Sequence, residues 1–108
     1  MVARIWRGYT SLQDADAYET FLKKDFMPAV EKKKIHGYKK FQLLRKTETD
    51  EVAFMTIMWF DDLEQIKAFA GEDYEKAVVH STAQALLKRY DDRSLHFELR
   101  HELNYRQG

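Results

Sequence analysis

The run Val52-Ala53-Phe54-Met55-Thr56-Ile57-Met58-Trp59-Phe60 constrains this chain more than any other. It is rich in β-branched and aromatic residues, and apart from Thr56 neither parity offers a polar face, so it predicts a strand covered on both sides. It is far too short to cross a membrane as a helix, which takes about 20 apolar residues. The polar stretch 47–50 precedes it. Before that, residues 38–46 alternate Phe41, Leu43 and Arg45 with Lys40, Gln42 and Leu44, so the two segments predict a hairpin.

The flanks extend the pattern. Val2, Arg4 and Trp6 share one face of a first strand, with Ala3, Ile5, Arg7 and Tyr9 on the other. Thr10, Ser11 and Asp14 offer alternative N-caps for an amphipathic helix of about five turns. Its stripe is Ala15, Tyr18, Leu22, Phe26 and Ala29, and Pro28 should kink or end it. Lys32-Lys33-Lys34 complements the negative helix terminus, a reading preferred here over contact with nucleic acid. After the apolar strand, Asp61-Asp62 supplies the N-cap of a short helix carrying Leu63, Ile66, Phe69 and Ala70, and Gly71 stops it. A further helical stretch is expected through Tyr74, Ala77, Val78 and Ser81 toward Tyr90. Residues 93–102 then alternate Leu95, Phe97 and Leu99 with Ser94, His96 and Glu98, predicting a last strand whose apolar face is core. The order βαββαβ predicts an α+β, ferredoxin-like fold with a four-stranded antiparallel sheet. Residues 1–103 form the one expected domain and 104–108 a tail.

With both helices on one side of such a sheet, the other side stays too apolar to be left bare, so a homodimer packed through the sheet face is expected. Eighteen basic residues balance eighteen acidic ones, so no charge excess calls for a nucleic-acid or membrane partner. The absence of cysteine removes disulfides, thiolate nucleophiles and cysteine metal sites. The first residues lack the apolar core of a secretion signal, so a cytoplasmic location is the expectation. No phosphate loop, dinucleotide fingerprint, His-Glu-x-x-His or nucleophile elbow occurs.

Chemistry must therefore come from histidines, arginines and aromatics. His96 and Glu98 share a strand face and offer an oriented base, two metal ligands, or, the preferred reading, an outward polar face or a plain hydrogen-bonded pair. His80 lies in an apolar stretch as a base or a structural helix residue, while His36 beside Gly37 and His101 beside Glu102 read as turn and strand-end residues. Arg4 and Arg7 need partners inside a sheet, either Glu98 and Glu102 or a ligand's anionic group. Trp6, Trp59, Tyr74 and Tyr90 pack as core aromatics or line a pocket.

Ile5-Trp6-Arg7-Gly8, the strand ending at Trp59, Ala68-Phe69-Ala70-Gly71-Glu72-Asp73, Ala77-Val78 and His96-Phe97-Glu98 together resemble the antibiotic biosynthesis monooxygenase family of dimeric α/β-barrel proteins across essentially the whole chain. The resemblance implies a cavity inside each subunit, between sheet and helices, with Trp6, Trp59, Phe69 and residues 74–80 on its walls. It implies a cofactor-independent monooxygenase acting on an electron-rich aromatic or quinol, with His80, Arg4 and Trp59 as catalytic candidates and Trp6, Phe69, Tyr74 and His96 as ligand contacts. No metal or other cofactor is expected. The family's heme-degrading branch is matched poorly, since Trp6 and Phe69 stand where it carries asparagine and tryptophan and His80 is offset from its heme ligand. A non-catalytic barrel that binds a small ligand, or serves in stress, is the alternative.

Overall fold

The computed structural model describes residues 1–106. Its strands are β1 (Val2–Thr10), β2 (Tyr38–Thr47), β3 (Val52–Phe60), β4 (Arg89–Tyr90) and β5 (Leu95–Glu98). Its helices are α1 (Ala15–Phe21), α2 (Met27–Lys32), α3 (Leu63–Ala70) and α4 (Ser81–Leu86). The strands form one antiparallel sheet in the order β2-β3-β1, and β4 and β5 both pair with the free side of β1. This is the ferredoxin-like α+β architecture, with the fourth strand position filled by two short pieces. Residues 104–106 are exposed and outside regular structure, and the rest of the expected tail, 107–108, lies outside the described residues. Among the described residues no helix is long and apolar enough to cross a membrane.

β3 settles the two parities. Val52, Phe54, Thr56, Met58 and Phe60 are buried under the helices, whereas Ala53, Met55, Ile57 and Trp59 are only half-buried on the far side. Cross-strand partners share a face, so the register Arg4 to Met58, Trp6 to Thr56 and Gly8 to Phe54 carries the same division onto β1. The core has two parts. Tyr18, Phe21 and Leu22 pack with Val52, Phe54 and Ala83, while Val30, Ile66 and Phe69 pack with Val2, Met58 and Phe60.

The first helix does not end at Pro28. Residues Leu22–Phe26 form a π-helical turn between α1 and α2, and the Met27 N–H reaches five residues back to the Leu22 carbonyl. Pro28 has no N–H to offer the preceding turn, and widening the helix just ahead of it lets the rod run on to Lys32. α3 obeys its sequence signals. Asp62 and Gln65 form a capping box, and Gly71 ends the helix at φ +93°, a conformation suited to glycine.

Two expectations fail. The stretch from Tyr74 to Tyr90 is not one helix: residues 71–80 are an irregular strap that turns at 72–75, and only Ser81–Leu86 coil. Tertiary pairing overrides the local pattern there, because Ala77 N–H donates to the Asp92 carbonyl at 2.8 Å, Ser94 N–H donates to the Glu75 carbonyl at 2.6 Å, and Lys76 bridges to Arg93. The strap thereby occupies the segment between β4 and β5. The second failure is the last strand's core face. Leu95 and Phe97 are 52% and 55% exposed on the open side of the sheet, and His96 faces inward beside Arg4.

A candidate ligand cavity beside Arg4

A cavity lies at the seam of the two core parts, between the helix-facing side of the sheet and the strap. Its walls are largely aromatic, with Trp6, Tyr18, Phe21, Phe26 and Phe69 contributing. Its free volume of about 40 Å³ holds a few water molecules. The π-helical turn sets Leu22 and Phe26, one at each end, against it.

Trp6 reaches the wall because Gly8, two residues on and on the same face, has no side chain. A Cβ at Gly8 would stand 2.6 Å from the far edge of the indole and 3.1 Å from Leu87. The Trp6 Nε1–H donates to the Asp91 carbonyl at 2.8 Å, which fixes the ring.

Arg4 is 3% exposed. Its Nη1 donates to the Tyr74 carbonyl and to His96 Nε2, the latter at 3.0 Å, and its Nη2 donates to the Lys76 carbonyl at 3.1 Å. The guanidinium carbon lies 5.6 Å from the centre of the Phe69 ring. No carboxylate pairs with it among the described residues; the expected partners Glu98 and Glu102 do not, and Arg7 pairs instead with Asp91 at 3.0 Å. Burial lowers its pKa to about 10, so the cation persists at neutral pH.

A guanidinium only donates, so His96 Nε2 is the acceptor and the imidazole is neutral, with its proton on Nδ1. Burial first, then the Arg4 charge, pull its pKa below the ordinary value, against an opposing effect of Glu75. Tyr74 packs edge-on against this ring at 5.2 Å. His80 borders the cavity from its exposed rim, where its Nδ1 accepts the Thr82 N–H at 3.1 Å and caps α4. It is thus a cap residue and not part of a helical stripe.

Of the residues singled out by sequence, Arg4, Trp6, Phe69 and His80 meet around the cavity. His96 and Tyr74 stand behind Arg4 and border an outer groove. Trp59 does not join them. It sits on the open side of the sheet, where its Nε1–H donates to Gln42 Oε1 at 2.8 Å and Lys40 lies 5.5 Å from its ring centre. Strand parity is the reason, since odd positions of β3 turn away from the helices. The hydroxyl-bearing wall residues Tyr18, Thr56 and Ser94 escaped sequence reading. Thr56 carried a signal, as the lone polar residue of the apolar run, while Tyr18 was indistinguishable from its core stripe. Burial pushes the Tyr18 phenol's pKa up, which keeps it protonated.

Comparison with family models and with curated proteins returned no match. Among solved structures, the chain is similar to a protein from Bacillus cereus provisionally described as an antibiotic biosynthesis monooxygenase. The TM-score is 0.61 at 10% identity, over 98% of this chain and 96% of that one. The two share a fold from end to end.

Proposed function

We propose that the chain is a homodimeric, cofactor-independent monooxygenase for a small electron-rich aromatic or quinol-type molecule. The observation that carries this reading is a buried cation without an acid partner, set in the wall of an aromatic cavity. The likeness in fold to the Bacillus cereus protein supports it. In an anthrone-type substrate a ring CH₂ becomes C=O, with one atom of dioxygen in the carbonyl and the other leaving as water with the two hydrogens; in a quinol a ring C–H becomes C–OH, the two hydroxyl hydrogens leave with the second oxygen atom as water, and the ring ends as the hydroxyquinone. Arg4 holds the negative charge of the bound molecule. His80 takes the proton, which requires its Nδ1 to give up the Thr82 N–H, because the neutral ring's other nitrogen carries hydrogen. Trp6 and Phe69 position the ring. Trp59, on the far side of the sheet, does not reach this cavity.

A binding protein without turnover is the second reading. It is favoured by the small cavity and by the cap that occupies His80. Oxygen uptake by the purified protein against hydroxylated anthrones and quinols separates the two. The oxygenase consumes one dioxygen per substrate, and His80→Ala lowers kcat about a hundredfold. Ligand binding without oxygen uptake establishes the second reading.

A further inference from the structure

We propose that Arg4 is the anchor for a carboxylate, and that the ligand of this cavity is a compact aromatic acid. This rests on reading the cavity as the ligand site but not on any oxygen chemistry. Arg4 is the only permanently charged side chain among the described residues of the wall, and its partners are two carbonyls and a neutral imidazole. A buried charge is ordinarily paired, so the missing counter-charge belongs to whatever enters. One cation suits a monoanion; a phosphate dianion would call for more.

The donor count gives the shape of that anion. A guanidinium has five N–H groups. Nη1 spends its two on Tyr74 and His96 and Nη2 spends one on Lys76, leaving Nε–H and one Nη2–H without a partner among the described residues. Two donors from adjacent nitrogens of one planar group match the two oxygens of a carboxylate. Next to them stand Phe69, whose ring centre is 5.6 Å away, and the aromatic wall, which calls for a ring on the acid. A ring exceeds the present free volume of about 40 Å³, so seating it moves the strap. The guanidinium also holds that strap, through the carbonyls of Tyr74 and Lys76, and a charged acceptor competes with those neutral ones on favourable terms.

The test is calorimetric titration of the full chain under nitrogen with benzoate, with its neutral isostere benzamide, and with 4-cyanophenolate at a pH where it is ionised. Benzoate is expected to bind at least about tenfold more tightly than benzamide, a ratio that Arg4→Gln brings close to one. Arg4→Lys is expected to keep part of the preference, since the charge remains and the fork is lost. Should Arg4→Gln fail to fold, the unmodified protein and Arg4→Lys decide the matter. Equal affinities for benzoate and benzamide, no benzoate binding at millimolar concentration, or a preference that survives Arg4→Gln would each overturn the proposal. Tighter binding of 4-cyanophenolate than of benzoate would overturn it too, by making the anion a single oxygen. Benzoate binding in a protein that consumes no oxygen would remove the oxygenase reading alone; oxygen uptake with uncharged quinols and no benzoate binding would remove this one alone.

Discussion

His96 faces Arg4 on one side, the edge of Tyr74 on another, and lies within the influence of Glu75. Its pKa in the fold lies below the ordinary 6.5. As pH drops through 6.5 the unfolded chain takes up a proton that the folded chain refuses, so stability falls over the window down to the folded pKa and this contribution is constant below it. Denaturant unfolding measured across that window should show a loss on acidification that His96→Gln reduces; an identical pH dependence in both proteins would contradict the neutral-acceptor geometry. Gly8 makes a second prediction. Adding a methyl there drives the Trp6 ring off the cavity wall, costing about 1–3 kcal/mol, with a shift in tryptophan emission as the independent sign. Single residues were partly legible in the sequence. Arg4 is legible because a charge on a strand between apolar neighbours needs a partner. Trp59 was misplaced because both parities of its strand are apolar, so nothing local says which side meets the helices.

Among the elements, those defined by their own signals were read well. α3 has a cap, a stripe and a glycine stop, and its start is the place to test them. Asp62→Ala, which removes the bond from Glu64 N–H and half of the capping box, should cost about 1 kcal/mol in thermal unfolding. The elements read poorly are those that other parts of the chain dictate. Residues 71–80 carry helical spacing yet do not coil into a helix, because their backbone groups find partners at Asp92 and Ser94 and through Arg4. The expected strand 93–102 forms only as β5, and β4 falls in the stretch expected to be helical, since the strap takes the backbone groups of the segment between them. Pro28 signals a disturbance of its helix, but a π-helical turn is a remedy that no residue pattern announces.

For the whole molecule the open side of the sheet is the outstanding surface. Leu44, Leu95 and Phe97 are each about half exposed there, beside Ile5, Ile57 and Trp59. The predicted self-association through this side should give twice the 12.9 kDa chain mass in sedimentation, and Phe97→Asp should return it to one chain without unfolding. A single-chain mass for the unmodified protein at micromolar concentration would refute it. The alternation of β1 has a further consequence for how such a protein can change over time. Arg4, Trp6 and Gly8 address the cavity, while Ile5, Arg7 and Tyr9 address the outside, so one short strand carries two interleaved messages. Selection for a different ligand can rewrite the even letters and selection for a different assembly the odd ones, each leaving the other text intact.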